Sequence, residues 1–86
     1  MIYIDFMIKF FRLSIPEMWD SRILLAIYNL KGQVVRTLLD GNFMPGKYSV
    51  SWDGTDDNSR LITNGEYFCV LKTSNERLVR RFVLLR

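Results

Sequence analysis

The sequence has no histidine in its 86 residues, which removes the commonest general base and the commonest metal ligand together. A single cysteine, Cys69, excludes an internal disulfide and a thiolate-held metal. Ser14 has no histidine to activate it, and no glycine-rich phosphate cradle follows any apolar run. The N-terminal run MIYIDFMIKF is broken by Asp5 and Lys9 and is too short to span a bilayer. It also lacks the basic start and small-residue cleavage site of a signal peptide. No sustained helical period occurs anywhere. These absences leave no catalytic constellation, no cofactor and no membrane span to expect.

What is present is apolar matter in a short chain. Hydrophobic residues make up 49% and aromatics 14%, enough for one core and too much for a disordered tail. A chain of this length forms one domain that buries about 60–65% of its unfolded surface. Twelve basic and nine acidic residues give a formal charge of +3. The excess gathers at the C-terminus, where Arg77, Arg80, Arg81 and Arg86 have no acid among them. Such an edge can meet acidic partners or nucleic acid; equally, it is a solvated face that discourages edge-to-edge pairing.

Period-two alternation organises most of the chain. In residues 1–10 the even positions are apolar. From Phe11 the phase flips, with Phe11, Leu13 and Ile15 apolar, and a flip by one residue requires a bulge or a break. Phe11 to Ile15 is therefore taken as the first strand, and residues 1–10 as either an apolar strand or an extension outside the domain. Residues 16–21 form a connection, with a short helical turn anchored by a buried Trp19. Arg22 to Asn29 is apolar on both faces, as in a central strand. Asn29 to Gly32 turns the chain into a strand over Gln33 to Asp40. Residues 41–46 read as a loop, pinned to the body by Phe43. Lys47 to Asp53 follows, with Tyr48, Val50 and Trp52 inward. A long loop over 54–64, with a short strand near Leu61-Ile62, leads through the Asn64-Gly65 turn into a strand over 66–73. A tight hairpin at 74–76 and a strand over 77–85 complete an antiparallel β-sandwich of six to seven strands.

The loop after Trp52 concentrates Asp53, Asp56, Asp57 and Asn58. Calcium is the metal such oxygens suit, although the twelfth residue counted from Asp53 is Asn64, where an EF-hand needs glutamate. The alternative is that these side chains cap their own backbone in turns. A hydrolytic carboxylate pair is not expected, because adjacent loop residues do not face each other across a substrate. Tyr3, Tyr28 and Phe68 with the C-terminal arginines form a candidate stacking platform for single strands; alternating aromatics in a small β domain are otherwise core, and no nucleic-acid partner is expected. Four residues are assigned structural roles: Trp52 as the central core residue, Gly54 and Gly65 as backbone positions that a Cβ would penalise, and Tyr67.

The ordered blocks Ile27-Tyr28-Asn29-Leu30-Lys31-Gly32, Val35-Arg36-Thr37-Leu38, Pro45-Gly46, Trp52-Asp53-Gly54-Thr55-Asp56-Asp57-Asn58, Asn64-Gly65-Glu66-Tyr67-Phe68 and Phe82-Val83-Leu84-Leu85-Arg86 resemble the immunoglobulin-like domain of the flagellar hook-capping family. They are similar as well to the C-terminal sorting domain of type IX secretion. The resemblance covers residues 11–86. It implies an immunoglobulin-like or fibronectin III-like sandwich, not an enzyme, carried at the end of a larger secreted or cell-surface bacterial protein. Its implied partners are the parent polypeptide and the secretion or surface machinery. In place of the proline- and asparagine-rich lead-in common to such proteins stands MIYIDFMIKF, which suggests a start inside a longer or disrupted gene; no lysine-rich tail follows Leu85. Two alternatives accompany this reading: a stand-alone carbohydrate- or ligand-binding sandwich using Trp19 and the acidic loop, and a flagellar hook-assembly component. A free edge strand further suggests homodimerisation.

Overall fold

Alternating side chains give each strand one apolar face, and two sheets bury those faces against each other. A computed structural model describes residues 3–7, 10–15 and 22–85, with side chains from Phe11 onward. Seven strands follow in chain order: β1 (Tyr3–Met7), β2 (Phe10–Ile15), β3 (Arg22–Tyr28), β4 (Val34–Asn42), β5 (Gly46–Ser51), β6 (Gly65–Lys72) and β7 (Arg77–Leu84). They form a three-stranded sheet in the order β1-β2-β5 and a four-stranded sheet in the order β4-β3-β6-β7, all pairs antiparallel. The fold is an all-β sandwich of the expected class, without a helix among the described residues.

The core lies between the sheets. Phe11, Leu13 and Ile15 of β2 face Ile23, Leu25 and Ile27 of β3, with Cys69 and Leu71 of β6 and Phe82 and Leu84 of β7. Phe82 stands edge-on to Phe11 at 5.4 Å and to Trp52 at 5.9 Å between ring centroids, the arrangement that ring quadrupoles favour. Tyr48 and Val50 of β5 pack against this cluster while Lys47, Ser49 and Ser51 face water.

The phase flip at Phe11 has a simple cause. Met7 pairs with Phe10, so β1 and β2 are the arms of a hairpin and the chain reverses between them. Residues 3–7 thus belong to the three-stranded sheet rather than standing outside it. The connection holding Trp19 lies outside the described residues.

Two further boundaries differ from the sequence reading. Gly41 and Asn42, punctuation by composition, remain in β4 because they pair with Ile23 and Arg22 at the start of β3. Pairing with a partner strand outweighs the weak local preference of glycine and asparagine for turns. The region near Leu61 makes only an isolated bridge to Thr55. Phe43 packs on the core and meets Tyr48 edge-on at 5.8 Å.

Candidate functional site

The chain leaves β5 at Ser51 and turns inward at Trp52, which is 6% exposed. Gly54 sits at φ +80°, in the left-handed region where a Cβ is penalised. That turn carries Thr55 into the interior at 8% exposure, the only buried polar residue among those described. Burial of a hydroxyl and a peptide group demands partners, and Thr55 has them on every side. Its amide donates to Asp53 Oδ1 at 3.1 Å, and its hydroxyl donates to the same oxygen. The hydroxyl accepts from Arg36 Nη1 at 2.9 Å, and its carbonyl accepts from Trp52 Nε1 at 2.9 Å. The hydroxyl bond, with desolvation opposing it and the Arg36 charge assisting, holds the Asp53 carboxyl below its ordinary 3.8.

The remaining acidic residues are similarly engaged. Asp56 Oδ1 accepts from the amides of Asn58 at 2.9 Å and Arg60 at 3.0 Å, while its carbonyl accepts from Arg36 Nη1. Asp57 reaches away from the loop: its amide donates to Val35 O at 2.9 Å and its Oδ1 accepts from Thr37 N at 3.0 Å. Asn58 is exposed at the tip beside Ser59, whose φ is +65°. The structure therefore places Asp53, Asp56, Asp57 and Asn58 in one loop but points the oxygens of the three aspartates at different backbone amides. No group of three or more metal-ligating side chains that could hold an ion forms among the described residues. The arrangement caps turns and closes the β4 edge, whose backbone would otherwise be open to pairing.

Gly65 opens β6 at φ +151°, with open space around the position of a Cβ, so the restriction there is conformational rather than steric. Tyr67 is buried at 7%, and its hydroxyl donates to Thr63 O, four residues back, at 2.7 Å. A tyrosine tying the strand start to the preceding corner is a hallmark of immunoglobulin-like sandwiches.

The opposite, outer face of the four-stranded sheet has a different character. Residues paired directly across strands share a face. One row reads Val34, Tyr28, Phe68, Arg81; the next reads Thr37, Ala26, Val70, Val79; the third reads Asp40, Leu24, Lys72, Arg77. Tyr28 and Phe68, taken from the sequence as platform aromatics, are thus neighbours on this face and half-buried. The Tyr3 side chain and Arg86 lie outside the described residues. Arg81 is not free of acids as its neighbourhood in the sequence suggests: it meets Glu66 at 2.6 Å.

Sequence reasoning missed Thr55 and Arg36. The signal for Thr55 was its place two residues after Asp53, the spacing of a side-chain-to-amide turn. Arg36, nineteen residues from Thr55, gave no local sign.

A sequence model described as FlgD Ig-like domain matches residues 16–77. No match to a curated protein was found. The matched segment contains the Trp52–Asn58 corner, the Tyr67 tie and strands β3 to β6.

Proposed function

We propose, for a chain that belongs to the FlgD Ig-like domain family, the role of a docking module carried by a larger exported bacterial polypeptide. The family is one of non-catalytic structural domains related to flagellar hook assembly. The family match over 16–77 is the observation that carries the reading. The geometry is consistent with it, because the most polar loop is occupied in holding the sandwich together. Among the described residues no helix is long and apolar enough to cross a membrane.

Under this reading the domain serves export, surface attachment or subunit docking, and its partners are the parent polypeptide and the machinery that handles it. Strand addition at a sheet edge, by a partner or a second copy, has the β5 edge to use, since Asp57 engages the β4 edge and Arg77, Arg80 and Arg81 stand on β7. The test is the size and place of the natural polypeptide. Trypsin releases LSIPEMWDSR, residues 13–22, which mass spectrometry follows through size-fractionated cell and medium samples. A large species outside the cytoplasm is the expected result. The peptide confined to a cytoplasmic species near 10.2 kDa would refute the reading and favour a free-standing ligand-binding sandwich.

A further inference from the structure

The outer face of the four-stranded sheet is more apolar than a solvated face needs to be. Ala26 and Val70 lie on it, yet they are 2% and 3% exposed, because Tyr28, Phe68 and Leu24 rise on either side. The small residues form the floor of a trough and the aromatics form one wall. Val34, Val79 and Val83 are large exposed hydrophobics that belong to this face by register, and Leu30 overhangs it from the β3–β4 turn. A shallow cavity of about 320 Å³ opens there between Tyr28, Phe68, Val70, Val79, Leu30 and Arg77.

Charge around the trough is one-sided. Asp40 is held by Arg22 and Glu66 by Arg81, each at 2.6 Å. Lys72 and Arg77, side by side in the third row, have no ion-pair partner among the described residues. No carboxylate lines the cavity. An apolar floor beside unpaired cations favours an occupant that brings both an apolar anchor and negative charge.

The edges of this sheet make face docking the better mode. The β4 edge is engaged by Asp57. The β7 edge carries Arg77, Arg80 and Arg81, and Arg80 occupies an inner-face row with Ile27 and Cys69 while remaining exposed. Charges placed this way on an edge strand oppose strand addition.

We propose that this trough is the docking surface of the module, and that its occupant is an acidic peptide segment carrying an aromatic or branched aliphatic anchor. The anchor seats on Val70 between Phe68 and Val79, and flanking carboxylates meet Arg77 and Lys72. The proposal rests on the docking-module reading and specifies its surface.

The experiment titrates the whole isotopically labelled chain with a synthetic peptide alternating aspartate and valine around one phenylalanine. A second peptide has every aspartate replaced by lysine. Amide shifts in the NMR spectrum locate binding, and fluorescence anisotropy measures it. The acidic peptide is expected to bind at low salt, to shift Tyr28, Phe68, Val70 and Val79, and to lose at least about tenfold in affinity in Arg77→Glu and in Val79→Lys. Both substituted residues are exposed. No binding of the acidic peptide, equal binding of the lysine peptide, or shifts clustered elsewhere would overturn the proposal. So would a sedimenting dimer that Val79→Lys dissolves, since the face would then belong to a second copy. Because the titration uses the chain alone, its failure leaves the module reading in place with another surface; failure of the localisation test leaves the trough intact.

Discussion

Asp57 binds the β4 edge at Thr37 as a neighbouring strand would. Its carboxylate accepts the Thr37 amide at 3.0 Å while its own amide donates to Val35 O at 2.9 Å. One residue thereby satisfies a donor and an acceptor that an edge strand otherwise presents to any passing chain. Arg36, between these two β4 residues, reaches back to Thr55 and to the carbonyl of Asp56. Loop and edge are locked from both directions, and the acidic character of the loop follows from that task.

Thr55 is the node of this lock. Thr55→Val keeps the bulk and removes the hydroxyl shared by Asp53 and Arg36. Asp53 is exposed and Arg36 half-buried with a second acceptor in Asp56 O, so the loss is that of ordinary hydrogen bonds, about 1 kcal/mol. Urea unfolding of the variant should show that loss in its midpoint without a change of slope; an unaltered midpoint would mean that the hydroxyl contributes nothing.

Trp52 and Tyr67 hold the corner from the core side. Trp52→Ala removes a buried indole packed against Phe11 and Phe82 and should cost about 3–5 kcal/mol. Tyr67→Phe removes the bond to Thr63 O and the longer contact with the Thr63 hydroxyl and should cost about 1 kcal/mol. Thermal unfolding of the pair would show the ranking, and a loss under about 1 kcal/mol for Trp52→Ala is incompatible with its place in the core.

The Asp53 carboxyl is held below its ordinary value by the Thr55 hydroxyl. A carboxyl depressed on folding contributes stability above the unfolded value of 3.8, and that contribution is lost as pH falls through the folded value. Asp53→Asn should therefore lower stability at neutral pH and flatten its fall in acid. Parallel pH profiles of the two proteins would contradict this.

Burial pushes the Cys69 thiol well above its ordinary range. The native protein should be inert to a thiol reagent at about pH 8 and react fully once unfolded. Because the folded thiol resists ionisation, stability should fall as pH rises beyond the ordinary thiol value of 9.0. Rapid labelling of the native protein would place Cys69 outside the core.

Much of this architecture was legible in the sequence, because period-two alternation in residues 11–15 and 47–52 reports directly which side chains a sheet must bury, and a run apolar on both faces over residues 22–28 marks a central strand. The ends of strands were less legible. Gly41 and Asn42 look like a turn and become strand only through their pairing with β3. The acidic loop was legible as a cluster but not as a set of bonds: that Asp57 serves Thr37, twenty residues away, depends on the sandwich being assembled. The outer trough was hidden for the same reason. Its floor residues Ala26 and Val70 and its cations Lys72 and Arg77 come from three strands, and only register brings them into rows.

Amide hydrogen exchange at Thr37, in the native protein and in Asp57→Ala, tests most directly the claim that the acidic loop is an edge cap. The Thr37 amide should be protected in the native protein and lose that protection in the variant, while Val70 in the sheet centre stays protected. Calcium should change neither result. A Thr37 amide that exchanges freely in the native protein, or protection that survives the substitution, would contradict the account; slowing of exchange across residues 53–58 on adding calcium would return the loop to the class of metal sites.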